Sequence, residues 1–374
     1  MRNDIRDSLH TLLSSPPVSA RRIGSRPVVL YGAGNRGRAT LAELRKHGHE
    51  VAVVIDREAS GMVEGCPIVR MDDPAVRQLA RDGAIAAIGI FNFMVDPLPI
   101  HRALEAAGFA DVLGAVELAQ TYPGLNSYWI AAADAMAPTP AEGLWLADRL
   151  ADDDSRRVLL EAIRLRRHYG PEWLREPELH SQYLPANVPI PRRDVSFIDG
   201  GAFDGDTIAQ MVSSGCTFTS IAAFEPDGAN YAALCRRMAD LRLPAEITLW
   251  PCGLDDTARQ ASFRSEGLSS SGFSAGGAAI VQTVVLDEAM PGARPTYVKL
   301  DIEGAEAAAL RGMSGLLRDA RPAVAVCVYH APSDLWQLPR LVDQLLPGAS
   351  LYLRSHAWNG FELVLYAVPE EKLA

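Results

Sequence analysis

The chain has 374 residues, 48% of them hydrophobic and 22% charged, and a formal net charge of −10. This is an ordinary globular mixture, long enough for two domains and too long for one comfortable core. The acidic balance argues against wholesale nucleic-acid binding. No apolar run approaches the length of a membrane span. Cys66, Cys216, Cys235, Cys252 and Cys327 are scattered, with no C-x-x-C. They fit free thiols in a reducing compartment better than a disulfide framework or a zinc site. The expectation is a cytoplasmic protein with neither a membrane nor a nucleic-acid partner.

Residues 1–26 read as an N-terminal arm. Met1 to Ser15 lacks a signal-peptide core and suits a short amphipathic helix or a frayed arm. Pro16 to Arg26 is a Pro-, Ser-, Gly- and Arg-rich linker. Residues 27–123 read as a first Rossmann-like domain. Val28–Tyr31 is a buried strand, Gly32-Ala-Gly-Asn-Arg-Gly37 a glycine turn, and Arg38 to about His47 a helix. The strand Val51–Ile55 ends at Asp56, at the spacing of the dinucleotide fingerprint. Arg36 and Arg38 make this loop basic, which suits a pyrophosphate in a dinucleotide or a nucleotide sugar. Gly32, Gly34, Asn35, Arg36, Gly37 and Asp56 are therefore candidate ligand residues. A Rossmann-like domain that binds nothing has the same signature. The strand Ala84–Ile90 and a helix from Pro99 to Ala107 complete this domain.

Residues 124–194 read as a helical connector and lid. Helices are expected over Ala141–Arg149 and Arg156–Tyr169, the second started by Asp152-Asp-Asp-Ser155. Glu176 to Arg193, with Pro177, Pro185, Pro189 and Pro191, should be an extended strap.

Residues 195–374 alternate strand and helix, opening on Val195-Ser-Phe-Ile-Asp-Gly-Gly-Ala-Phe-Asp-Gly-Asp-Thr207. A strand, a tight glycine turn and a helix start are where doubly wound α/β proteins hold nucleotide-like ligands. Glycines let backbone approach a ligand, and the helix start offers N–H groups to an anion. Asp199, Asp204 and Asp206 would repel a pyrophosphate but can face the sulfonium and ammonium of S-adenosylmethionine. Asp199, Gly200, Gly201, Ala202, Phe203, Asp204, Asp206 and Thr207 are thus candidate cofactor residues. An ordinary βα turn with solvated acids is the plain alternative.

Further strands are expected at Ser220–Phe224, Glu246–Trp250, Thr296–Leu300 and Pro322–Val328, then a hairpin from Ser350–Arg354 and Phe361–Val368. Seven strands ending in a hairpin after five βα units fit the usual methyltransferase sheet. Glu225 ends the strand after the glycine turn and can accept both ribose hydroxyls. Pro226 would stiffen that turn, and Asp227 would add a polar contact. Cys252, Gly253 and Leu254 lie where a small turn lines an adenine pocket, although Cys252 also suits a core.

The candidate chemistry lies in Lys299-Leu-Asp-Ile-Glu-Gly-Ala-Glu306 and Tyr329-His330. Asp301 and Glu303 can orient or polarise an acceptor hydroxyl or ammonium, or brace the cofactor loop. Lys299 and Glu306 are expected as a structural pair. His330 is a candidate general base, with a backbone-bonded histidine as the alternative. Tyr329 and His356 are candidates for the acceptor pocket. No metal-ligand spacing stands out.

With these residues in view, the chain resembles the FkbM family of S-adenosylmethionine-dependent methyltransferases. The carriers are Phe197–Thr207, Phe224-Glu-Pro-Asp227, Lys299–Glu306 and Val328-Tyr-His330 with Asp334-Leu-Trp336, spread over roughly residues 182–368. The resemblance implies a class I methyltransferase fold, an EC 2.1.1-type transferase, and O-methylation of sugars or secondary metabolites. Members with this longer layout often carry a Gln-Tyr-aromatic-Pro strap. Gln182-Tyr-Leu-Pro185 matches it except at Leu184, which implies that Gln182 and Tyr183 close over the cofactor. The first domain, with Gly32–Gly37, Ile55-Asp56 and Gly65-Cys-Pro-Ile68, is similar to the small Rossmann-like domains preceding sugar acetyltransferases, which bind nucleotide sugars. The combined expectation is an α/β enzyme of two Rossmann-like domains that methylates a hydroxyl of a small-molecule acceptor, a nucleotide sugar among the options. The alternatives are N-methylation of an amine, an NAD-dependent oxidoreductase using the first domain, and a silent binding module. Acceptor identity and oligomeric state, a homo-oligomer included, are left open.

Overall fold

The computed structural model describes residues 2–179, 182–264, 272–273 and 279–372. The chain divides into two units, one of Met1–Leu144, Arg157–Pro177 and Ala357–Glu362, the other of Trp145–Arg156, Glu178–His356 and Leu363–Ala374.

In the first unit, α1 (Arg2–Ser14) buries Ile5, Leu9 and Leu13, a four-residue repeat that gives the arm one apolar helical stripe. β1 (Val28–Tyr31) is buried throughout. The glycine turn feeds α2 (Asn35–Lys46), which starts three residues earlier than its sequence suggests because Gly34 is the N-cap. β2 (Val51–Ile55), β3 (Gly61–Val63) and β4 (Cys66–Val69) follow. Next come α3 (Pro74–Arg81), β5 (Ile85–Ile88), α4 (Pro97–Ala106), β6 (Val112–Leu113) and α5 (Ala115–Thr121). Asp73 and Asp96 cap α3 and α4 through their side chains, each followed by a proline in the first helical turn. The six strands run in the order β3-β4-β2-β1-β5-β6. β2, β1 and β5 pair in parallel over a core that includes Val29, Val53, Ile55, Ala86 and Ile88.

α6 (Pro140–Arg149) and α7 (Asp153–His168) occupy the expected connector, but residues 124–194 are not a body of their own. Packing divides them. Trp129 is fully buried in the first unit, with the Arg166 guanidinium over its ring at 5.0 Å. In the second unit Arg149 donates to Asp343 (Nε–Oδ1 3.0 Å), and Arg354 bonds Ser155 Oγ (2.8 Å) and Asp152 Oδ2 (2.6 Å). Such long-range pairing is invisible to a reading of local periodicity.

The second unit opens with β7 (Val195–Gly200), α8 (Asp206–Ser213), β8 (Phe218–Phe224), α9 (Gly228–Leu241) and β9 (Glu246–Trp250). An insertion follows, made of β10 (Gly253–Leu254), β11 (Gln260–Arg264), β12 (Gly272–Phe273) and β13 (Ala279–Val284) in the order β10-β13-β11-β12. The sequence reading has no counterpart for this small sheet. α10 (Leu286–Ala289) then leads to β14 (Tyr297–Leu300), α11 (Glu306–Gly312), α12 (Ser314–Ala320) and β15 (Ala323–Cys327). α13 (Asp334–Leu345), β16 (Ser350–Ser355) and β17 (Leu363–Val368) close the fold.

The seven-stranded sheet runs β16-β17-β15-β14-β7-β8-β9. β17 is antiparallel to both β15 and β16, the expected closing hairpin, and β9, β8, β7, β14 and β15 pair in parallel. After β7 the chain winds outward through β8 and β9, then returns to β14 on the other side of β7. The carboxyl ends of β7 and β14 therefore border a topological switch point, the place where open α/β sheets bind ligands.

Candidate active site

The turn after β7 is held by its own backbone. Gly201 N and Ala202 N both donate to Phe224 O (3.0 Å each), and Gly205 N donates to Ala202 O (2.8 Å). Phe203 N donates to Glu225 Oε2 (2.8 Å). Asp206 N and Thr207 N take the nearby carboxylates Asp204 Oδ1 (3.2 Å) and Asp206 Oδ1 (2.8 Å). The helix start thus offers an anion fewer donors than its sequence suggests, because neighbouring acids occupy them. Gly201 shows why glycine is needed. Its φ is +75°, and a Cβ there would sit 1.9 Å from Asp301 O. The close approach is to the chain's own β14 end.

The acids of this turn are neutralised from within. Asp199 is fully buried, with Lys299 Nζ 3.0 Å from its Oδ1, and Lys299 Nζ also donates to Gly201 O at 2.6 Å. Burial pushes the Asp199 carboxyl up to about 6 against the pull of Lys299. Asp204 pairs with Arg237. The picture of three acids facing a cationic cofactor is therefore corrected: the first two pair with Lys299 and Arg237, and Asp206 Oδ1 accepts Thr207 N at the helix start. The expected pairing of Lys299 with Glu306 is also corrected. Lys299 points to β7, and Glu306 meets His330.

At the end of β8, Glu225 Oε1 accepts Asp227 N (2.8 Å) while Oε2 accepts Phe203 N. Burial raises the Glu225 carboxyl to about 7 despite both bonds. Each oxygen keeps a second lone pair, the chemistry a ribose diol would use. Asp227 instead caps α9, its Oδ1 accepting Ala229 N and Asn230 N (2.9 and 3.2 Å). Pro226 is half-buried in the turn between these two acids. Beyond β9, Cys252, Gly253 and Leu254 are buried, and burial raises the Cys252 thiol to about 11. Trp250 stacks on Phe224 (ring centroids 5.6 Å, 9°), and its buried Nε1 has no acceptor among the described residues. Sequence reading passed over this donor, because an indole at a strand end looks like core. Glu225, Trp250 Nε1 and the glycine turn fit an adenosine-bearing cofactor in donor chemistry.

The second cluster sits at the ends of β14 and β15. His330 Nδ1 lies 2.8 Å from Glu306 Oε1, and its Nε2 lies 3.4 Å from Asp301 Oδ1 and 3.8 Å from Glu303 Oε2. Burial disfavours the imidazolium, but Glu306, then Asp301 and Glu303, outweigh it and push the ring up to about 10. Only 2% of the His330 side chain and 1% of Glu306 are exposed, against 24% of Asp301 and 19% of Glu303. The carboxylates face outward and the histidine lies behind them. Both ring nitrogens of His330 face carboxylates, an arrangement that favours the imidazolium and weighs against a role as general base. Glu303 has φ +55°, an uncommon backbone state for a non-glycine residue and one that recurs at functional sites.

One ligand atom each of Asp301, Glu306 and His330 falls within 4.8 Å of the others. Two carboxylates and an imidazole form a donor set that divalent cations take. Here the imidazole itself lies between the carboxylates.

Tyr183 of the strap donates its hydroxyl to Asp301 Oδ2 (2.9 Å) and receives Gln182 Nε2 (3.0 Å). Tyr329 packs its ring on His330, 4.2 Å between centroids. His356 does not line a pocket. It is 3% exposed, with Nδ1 3.0 Å from Glu178 O and Nε2 2.8 Å from Tyr366 Oη, and burial lowers its pKa.

In the first unit, the glycine turn is also held internally. Asp56 Oδ2 accepts Ala33 N (2.8 Å), and its Oδ1 accepts Glu58 N and Ala59 N (2.9 Å each). Arg36 donates to Leu125 O (2.5 Å) and lies over the Phe91 ring at 5.7 Å, so it is corrected from anion ligand to brace. A Cβ on Gly37 would meet Gly32 O at 1.9 Å, whereas one on Gly34 would meet nothing within 4 Å. Gly34 and the adjoining exposed Asn35 are the open part of this turn.

Residues 199–356 match the family described as Methyltransferase FkbM domain. A solved structure of methyltransferase FkbM from Methylobacillus flagellatus KT shares 21% identity at a TM-score of 0.79, over 98% of this chain and 99% of that one. The two share a fold along their whole length. A putative rRNA-methylase from Clostridium thermocellum (11% identity, 48% of this chain and 90% of that one) reaches a TM-score of only 0.31. So does fibrillarin from Aeropyrum pernix in complex with S-adenosyl-L-methionine (16% identity, 49% and 70%). No curated protein matches the chain.

Proposed function

We propose that this chain, which carries a methyltransferase domain of the FkbM family over residues 199–356, transfers a methyl group from S-adenosylmethionine to a hydroxyl of a small molecule. The acceptor class is a sugar, a nucleotide-linked sugar or a secondary metabolite. The observation that carries the reading is the pairing of Glu225 with the Asp301–Glu303–His330 cluster on either side of the β7 turn, at the switch point of the sheet.

When bound, S-adenosylmethionine supplies an electrophilic methyl on a sulfonium. Glu225 would accept the ribose hydroxyls, and Trp250 and the β10 turn would border the adenine. Asp301 and Glu303 receive the acceptor hydroxyl at the outward face of the cluster. Asp301 or Glu303 would take the proton of the acceptor hydroxyl as that oxygen is methylated. His330 keeps both carboxylates ionised and fixed before the acceptor arrives, so most of the rate gain is orientation.

The same imidazolium favours a second reading, N-methylation. An amine needs no strong base beyond losing its own proton, and three carboxylates around one cation suit an ammonium ligand. An NAD-dependent reaction in the first unit is less favoured, because Asp56 and Arg36 are already committed to backbone partners. We place the protein in the cytoplasm on its buried free thiols, Cys66, Cys216, Cys252 and Cys327. Among the described residues no helix is long and apolar enough to cross a membrane.

Calorimetric titration with S-adenosylhomocysteine, followed by the mass of products formed from a metabolite extract with labelled cofactor, tests the reading. A saturable binding isotherm and a product heavier by one methylene are expected. No binding by the folded protein, or no labelled product, refutes it.

A further inference from the structure

Tyr183 of the strap reaches Asp301 with its hydroxyl. Its φ is +65°, uncommon for a bulky side chain, and two further tyrosines hold it there. Tyr183 N donates to Tyr366 Oη (3.2 Å), and Tyr297 Oη donates to Tyr183 O (2.6 Å). Tyr366 Oη is in turn 2.8 Å from His356 Nε2. This scaffold delivers the Tyr183 hydroxyl to Asp301 Oδ2 at 2.9 Å, and Lys299 Nζ lies 5.3 Å from the centre of the same ring. The tyrosine is only 3% exposed. A ring serving as a cofactor cover would need an open face, and this one instead has its hydroxyl spent on the carboxylate.

We propose that Tyr183 is a positioning residue, whose phenol holds Asp301 Oδ2 while His330 holds Oδ1, so that Asp301 is ionised and aimed before the acceptor binds. The role rests on the methyl-transfer reading of this site. Burial alone would raise the Asp301 carboxyl, but Lys299, His330 and the Tyr183 hydroxyl together hold it below its ordinary value. Removing the hydroxyl removes one of these stabilising groups. The carboxyl then protonates at higher pH, and a reaction that needs the carboxylate loses its rate earlier as pH falls.

The test is Tyr183→Phe, which keeps the ring and deletes the donor. Methyl transfer from labelled S-adenosylmethionine into one fixed metabolite extract is followed from about pH 3 to about pH 8, a window that spans the carboxyl range, beside calorimetry with S-adenosylhomocysteine. A hydrogen bond to a charged group supports a loss of about tenfold in rate at neutral pH and an acid limb moved up by about one pH unit. S-adenosylhomocysteine affinity and the KM for S-adenosylmethionine should stay within about twofold, because the phenol acts on the acceptor side. In an Asp301→Asn background the same change should alter the rate by less than about twofold, since Tyr183 acts through Asp301. An unchanged pH profile in Tyr183→Phe, or an undiminished loss in the Asp301→Asn background, overturns the role of Tyr183 and leaves the methyltransferase reading intact. A wild-type protein that binds no S-adenosylhomocysteine refutes methyl transfer itself, and this role with it.

Discussion

Lys299→Met should destabilise the second unit by about 3–5 kcal/mol at pH 7, the usual cost of leaving one charge of a buried pair alone. The side chains of Lys299 and Asp199 are 3% and 0% exposed and 3.0 Å apart, so little water screens them. Methionine approximates the volume of the lysine stem, which limits the cavity contribution. The loss has a signed pH dependence. Already with lysine present, burial raises Asp199 from 3.8 to about 6. Without lysine the folded-state value rises further while the unfolded value stays near 3.8. The folded form of the variant then binds the extra proton, and its deficit shrinks as pH falls through that raised value. For a unit of this size the shift at pH 7 is on the order of 10 °C in the melting transition. It should be clearly smaller at pH 5.5 than at pH 7. Scanning calorimetry at both pH values measures it. The double variant Lys299→Met with Asp199→Asn should recover most of the loss, because no buried charge remains. Equal melting temperatures for Lys299→Met and wild type would refute a structural ion pair. Equal losses in the single and double variants would assign the effect to the lost bond from Lys299 to Gly201 O instead.

Three further outcomes follow from the site. His330 has a folded-state value of about 10 against an ordinary 6.5, so its stabilisation is complete below about pH 6.5 and disappears as pH rises towards 10. The melting temperature should fall across that window, and His330→Asn should flatten the fall; a pH-independent wild-type transition would contradict the imidazolium bridge. Glu225→Gln, which keeps the size but halves the acceptors, should weaken S-adenosylhomocysteine binding by about tenfold or more in calorimetry, and unchanged affinity would remove Glu225 from the ribose contact. Treatment with EDTA should leave methyl transfer unchanged; a loss restored by magnesium or manganese would mean that a cation replaces the bridging proton among Asp301, Glu306 and His330.

The order of strands was legible because their signals are local. Each of Val195–Gly200, Phe218–Phe224, Glu246–Trp250 and Tyr297–Leu300 is an apolar run that stops at a turn residue, and parallel pairing needs only that repetition. The insertion from β10 to β13 was not, since its strands are short and β13 is half-exposed, with burial that alternates weakly.

The sequence by itself determined the two α/β units, the closing hairpin and the positions of Asp199, Glu225, Asp301, Glu303 and His330 at strand ends. Tertiary structure alone decided which partners those side chains meet. The sign of a charge is written in the sequence, but its partner is not. Asp199 meets a lysine 100 residues away, Arg36 turns inward to Leu125 O, and His330 is enclosed by three carboxylates from the β14 turn and α11. A base, a ligand and a brace are the same residue type in different surroundings, and burial with its long-range partners chooses among them.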